Sequence, residues 1–129
     1  MLQETDPALM NLIALRDLAI PLAREKEKQG KLNLNIYMSS CNTDGCLGGW
    51  MCTIDYFKDR GIKFVLYGDQ LIPTFAGLVG GTALAKFFGL HTTENAMLFG
   101  KSYTGGNLDK REAFLNKLIA ERTAALCSK

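Results

Sequence analysis

Apolar positions recur at helical spacing along much of the chain, with two short stretches that read as strand. Asp6-Pro7 has the chemistry of a helix start, Asp as N-cap and Pro in the first turn, and Leu9, Leu12, Ile13 and Arg16 follow at helical intervals. Pro21 lacks the N–H that would bond four residues back, and its ring crowds that carbonyl. A kink or break is predicted near Ile20, then a second short helix to about Gln29, with Gly30 beyond its end. From Leu32 to Met38 apolar and polar residues alternate, the signature of a half-buried strand. Ser39 to Gly45 is polar and reads as a loop. A helix is predicted from about Asp44 to Lys58, turning Trp50, Ile54 and Phe57 to the core and stopped by Gly61.

Lys63 to Tyr67 reads as a strand, Gly68-Asp69 as a turn and Gln70 to Ile72 as its antiparallel return, which Pro73 should confine to a sheet edge. Gly77, Gly80 and Gly81 suggest a loop. Thr82 is the expected cap of a helix over Ala83 to Phe88, closed by Gly89-Leu90. Thr92 is the expected cap of another, Thr93 to Phe99, closed by Gly100. After Thr104-Gly105-Gly106, Asp109 and Glu112 have capping-box spacing. The last helix then carries Phe114, Leu115, Leu118, Ile119, Ala125 and Leu126 on one stripe. These elements predict a single α+β domain, mostly helical with about five helices. Its small antiparallel sheet should run over Leu32 to Met38 and Lys63 to Ile72. The expected core is Leu12, Ile13, Leu34, Ile36, Trp50, Ile54, Phe64, Leu66, Phe87, Leu98, Leu115, Leu118 and Ile119.

A chain of 129 residues fits one domain and can bury a core without metal or disulfides. Its net charge of +2, from 15 basic and 13 acidic residues, is interleaved, as in Arg24-Glu25-Lys26-Glu27-Lys28. That is a solvated helix face, and it disfavours dedicated nucleic-acid binding. Arg16 and Asp17 interrupt the apolar run from Leu9 to Ala23, so no membrane span is expected. The acidic start, Glu4 and Asp6, lacks the basic region of a signal peptide. A cytoplasmic protein with reduced thiols is expected.

The most distinctive stretch is Cys41-Asn42-Thr43-Asp44-Gly45-Cys46-Leu47-Gly48-Gly49-Trp50. Two glycines inside a helix cost about 1 kcal/mol each relative to alanine. The cost is understandable if another backbone passes close by, with Trp50 filling the space beside it. The stretch resembles a family of small uncharacterised phage and bacterial proteins with the pattern Cys-Gly-Thr-x-x-Cys-x-x-Gly-Trp. Here the matching residues are Cys41, Thr43, Cys46, Gly49 and Trp50, then Phe87-Phe88-Gly89-Leu90 and Leu98-Phe99, so the likeness spans Tyr37 to Tyr103. Asn42 departs from the usual glycine. The resemblance implies a phage-type origin and a fold class, and it carries no catalytic residues with it.

Candidate chemistry is sparse. Cys41, Cys46, Cys52 and His91 could supply three sulfurs and a nitrogen to zinc, but their spacings do not match structural zinc sites, so no metal or cofactor is expected. Cys46, in the first turn of a helix, is the candidate nucleophile, and His91, the single histidine, its candidate base. The loop Gly77-Leu78-Val79-Gly80-Gly81-Thr82 precedes a helix but lacks the Gly-Lys-Ser/Thr ending of a phosphate-binding loop, and Lys86 comes one turn too late. The Gly89-to-Thr92 corner has helix-turn-helix spacing, yet the second helix offers Thr93, Glu94 and Asn95 and then turns apolar. It reads better as an αα-corner. Ala120, Ala124 and Ala125 suit helix-on-helix dimerisation, although packing of the last helix onto the first within one chain is favoured. The chain reads most readily as a phage-type accessory protein that binds a host or phage macromolecule, a protein above all, in the host cytoplasm. A cysteine enzyme using Cys46 with His91, or a metal-stabilised module, stands as the alternative.

Overall fold

The computed structural model describes residues 6–39, 44–101 and 105–127. The first described segment is one continuous helical rod. Asp6 caps α1 (Pro7–Ala14), its carboxylate accepting the N–H of Ala8 at 3.0 Å and of Leu9 at 3.4 Å. Pro21 does not break the rod, as the sequence suggests it should. The chain instead widens into a π turn over Leu15–Ala19, where the Ile20 N–H reaches back five residues to the Leu15 carbonyl, and then tightens into α2 (Ile20–Lys28). A wider turn ahead of the proline accommodates a residue that has no N–H to give.

The predicted strand from Leu32 to Met38 forms only at its end, as β1 (Met38–Ser39). The alternation came from asparagines that do other work. The Asn33 side chain accepts the Asn35 N–H at 3.0 Å and the Asn33 carbonyl the Ile36 N–H at 3.5 Å, so Leu34 to Tyr37 turn rather than extend. The predicted helix from Asp44 to Lys58 is shorter and interrupted, as α3 (Leu47–Met51) and α4 (Asp55–Asp59). Between them the Thr53 hydroxyl donates to the Trp50 carbonyl at 2.7 Å, and Ile54 is extended.

The sheet continues with β2 (Lys63–Tyr67), β3 (Gln70–Phe75) and β4 (Leu78–Val79), all antiparallel. Pro73 was expected on an edge, yet β3 is the centre. It pairs with β2 along its length, from Lys63↔Thr74 to Tyr67↔Gln70. Along its other side β1 pairs with Gln70 and Leu71, and β4 with Thr74 and Phe75. Ile72 and Pro73 fall between the two short partners, where no ladder asks Pro73 for an N–H. The expected glycine loop is a two-residue turn into β4, with Ala76 at φ 54° and Gly77 at φ 81°, the handedness that matches strand twist.

Among the described residues, three longer helices follow. The first is α5 (Gly80–Phe88), starting at Gly80 ahead of the expected cap Thr82. Next comes α6 (Thr92–Phe99), with His91 in the cap position in place of Thr92, and last α7 (Leu108–Cys127). Gly89, at φ 64°, ends α5, and the Leu90 N–H bonds the Ala85 carbonyl, as the sequence indicated. Asn107, not Asp109, caps α7 through the Lys110 N–H at 3.0 Å. Asp109 and Glu112 instead both hold Arg24 of α2.

The observed class is the expected one, a mostly helical α+β domain with a small antiparallel sheet. The α5 helix lies on β3, and α1 packs between α5 and α7, so the last helix rests on the first within the same chain. Phe57, Phe87, Phe88 and Phe99 form an aromatic seam through the middle, with successive ring centres 5.9, 4.9 and 5.5 Å apart. Leu12, Trp50, Phe87, Leu98, Leu115, Leu118 and Ile119 are buried as expected, and Ile13, Ile54 and Phe64 pack against them half-buried. Leu34 and Ile36 are only half-buried, and Leu66 is 61% exposed on an outer strand that packs chiefly on β3. No helix among the described residues is long and apolar enough to cross a membrane.

Phe57 is fully buried and touches the rings of Tyr56, Phe87 and Phe88. Phe57→Ala should lower the unfolding free energy by about 3–5 kcal/mol in urea titration.

Candidate functional site

The site predicted around Cys46 is built on a crossing of two backbones. The chain from Lys31 to Met38 passes over the start of α3 and is tied to it repeatedly. The Asn33 N–H donates to the Gly45 carbonyl at 2.8 Å, and the Gly45 N–H to Lys31 at 3.1 Å. The Cys46 N–H reaches the Ile36 and Tyr37 carbonyls at 3.0 and 3.1 Å. Trp50 donates its indole N–H to the Lys31 carbonyl at 3.0 Å, with Lys26 over its ring face. A Cβ on Gly49 would overlap the Tyr37 carbonyl outright, and one on Gly45 would lie 2.6 Å from it. Gly48 faces only side-chain tips, Leu84 and Phe99 at 3.2 Å each. The close backbone approach inferred from the paired glycines is therefore made at Gly49, with Trp50 packed beside it. Cys41, Asn42 and Thr43 lie outside the described residues.

Cys46 stands at the N-cap of α3 and is buried. Burial pushes its thiol up, against the Gly49 and Gly48 N–H groups and the Arg111 charge, which pull the other way. Cys52 is also buried and raised by desolvation, with the neighbouring Cys46 adding to it. Its Sγ donates to the Gly48 carbonyl at 3.2 Å. The Tyr37 phenol, pushed up to about 12 chiefly by burial, completes the group. Tyr37 and Cys46 line a cleft of about 240 Å3 with Gln70, Ile72, Phe99 and, at its rim, the exposed Lys101.

Sequence reasoning missed Arg111. It lies fully buried on the inner face of α7, Nε donating to the Gly106 carbonyl at 2.9 Å and Nη1 to the Leu98 carbonyl at 3.0 Å. Its Nη2 has no hydrogen-bond partner among the described residues. The signal was present, since Arg111 precedes Leu115 and Leu118 by four and seven residues and so shares their stripe.

The proposed base does not meet the proposed nucleophile. His91 leaves 81% of its side chain exposed in the corner before α6, and its described partner is Glu94, 3.7 Å from Nε2. That corner is held by Arg122, which donates to the Phe88 and Gly89 carbonyls at 2.9 and 2.6 Å and pairs with Glu94 at 3.3 Å. Cys46 is enclosed beneath Tyr37 and has no contact with His91 among the described residues. Nor do any three His, Cys, Asp or Glu side chains among those residues group as a metal site.

The other candidates also resolve into packing. The first turn of α5 is faced by Tyr37 and by Asn95, whose amide donates to the Gly81 carbonyl at 2.9 Å. On α6, Glu94 and Asn95 are engaged within the fold, leaving no row of polar side chains for bases. No family model, curated protein or solved structure matches the chain.

Gly49→Ala should cost about 3 kcal/mol or more in chemical denaturation, since backbone must move. Gly48→Ala should cost clearly less, because side-chain tips can yield and alanine favours helix by about 1 kcal/mol. A pH dependence follows from the thiols and phenol held neutral inside. In the unfolded chain they ionise near 9.0 and 10.0, so unfolding above those values releases protons. Melting temperature should be insensitive to these groups at neutral pH and fall above about pH 9, less steeply for Cys52→Ala. An unchanged melting curve from pH 8 to about pH 11 would contradict the burial of this group.

Proposed function

We propose that this chain is a binding protein, an accessory factor of phage type that acts on a protein partner in the host cytoplasm. The resemblance of the Cys46-Gly49-Trp50 stretch supports the phage origin. The observation that carries the binding reading is the apolar surface of the sheet. On β2, Val65 is 39%, Leu66 61% and Tyr67 67% exposed, and large apolar side chains exposed along an outer strand mark an interaction surface. The chemistry around Cys46 points the same way. A thiol pushed up by burial, without an imidazole beside it, is a poor nucleophile at neutral pH.

An affinity-tagged chain should retain a protein partner from phage-infected or prophage-bearing cells. Leu66→Lys, which changes a side chain facing solvent, should lose at least about 90% of it while keeping the wild-type melting temperature. Equal capture by the folded variant would remove β2 from the binding surface.

A further inference from the structure

The outer strand of the sheet has the features that proteins ordinarily avoid at an open edge. Among the described residues it pairs only with β3; it contains no proline and carries one charge, Lys63, at its start. Its register against β3 runs without a bulge from Lys63 to Tyr67. We infer that this edge is an interface for a second copy of the chain, the two β2 strands pairing antiparallel about a two-fold axis at Val65. The inference deepens the reading of β2 as a binding surface and rests on it.

Hydrogen-bond geometry sets the register. A two-residue turn, Gly68-Asp69, joins β2 to β3, so Tyr67 and Gln70 form the hydrogen-bonded pair that closes it. By alternation Lys63 and Val65 also face β3, opposite Thr74 and Ile72; the Thr74 hydroxyl donates to the Lys63 carbonyl as well, at 3.2 Å. Phe64 and Leu66 therefore turn their N–H and C=O groups to the open edge. With Val65 on the axis, Phe64 lies opposite the partner's Leu66 and Leu66 opposite the partner's Phe64, and all four pairs of edge groups are used. Moving the axis to Leu66 would set Phe64 against the partner's Gly68, inside the turn.

The side chains agree with the same register. Phe64 is half-buried over the core while Leu66, on the same face, is the most exposed leucine recorded. Pairing sets each Leu66 on the partner's Phe64 and removes both from water. On the opposite face Val65 meets Val65, and Lys63 meets the partner's Tyr67, an aromatic face for a cation. Lys63 is the one charge on the strand, and antiparallel pairing puts the two Lys63 side chains at opposite ends of the joint, whereas in-register parallel pairing would set them side by side.

Sedimentation of the full chain over a concentration series should show mass rising from 14.2 kDa toward twice that value. Two folded variants should remain at the single-chain mass throughout: Leu66→Lys, and Leu66→Pro, which removes an edge N–H that β3 does not use. In a Cys127→Ser background, Val65→Cys should form an interchain disulfide on mild oxidation, at least tenfold more than Tyr67→Cys. A single-chain mass at every concentration would overturn the inference, as would a dimer that survives Leu66→Lys or equal cross-linking at both positions. If the wild type is monomeric yet Leu66→Lys still abolishes partner capture, the self-pairing fails and the binding reading stands. Loss of neither sinks both.

Discussion

The structure hangs on one close crossing, where the backbone at Tyr37 runs over Gly49. It ties the first strand of the sheet to α3. Met38 leaves the crossing to become β1, and the Cys46 N–H donates to both the Ile36 and Tyr37 carbonyls as the chain enters α3. Without a side chain at Gly49 the two main chains come close enough to exchange these bonds. With one, the Lys31-to-Met38 segment would have to lift, and β1, the Trp50 anchor on Lys31 and the cover over Cys46 would move together.

Elsewhere the fold is tied by polar side chains that reach helix ends. Arg111 and Arg122, both on α7, take the last carbonyls of α6 and α5. Arg24 on α2 grips the first turn of α7 through Asp109 and Glu112. Asn11 on α1 donates to the Phe87 carbonyl at 3.1 Å and accepts from Tyr56. Cations at helix C-termini satisfy carbonyls that the helix itself leaves open. The last helix thereby serves as the clamp for two others, which an apolar stripe alone would not orient.

What the sequence made legible was local. The αL glycine at Gly89, the cap at Asp6, the β2–β3 hairpin and the aromatic core positions depend on neighbours in the chain, and spacing reveals them. What it hid was decided by distant partners. Alternation around Asn33 imitates a strand because polar side chains bonding their own backbone give the same pattern as a half-buried surface. Pro73 tolerates a central position only because β1 and β4 leave a gap, and no local rule announces a gap. The candidate site divides the same way. The glycine pair correctly implied a crossing, while the pairing of Cys46 with His91 rested on composition, and the fold sends the two residues to a buried cap and an open corner.

The π turn at Leu15–Ala19 bears on how this chain can vary in length. A one-residue insertion or deletion in an α-helix ordinarily rotates everything beyond it by about 100° and swaps its inner and outer faces. Here the surplus residue is already present, with Arg16, Asp17 and the 42%-exposed Leu18 turned toward solvent. Losing one residue within that segment would tighten the wide turn to an α turn and leave α1 and α2 facing what they face now. The first rod is therefore the place where a shorter relative could keep the same architecture.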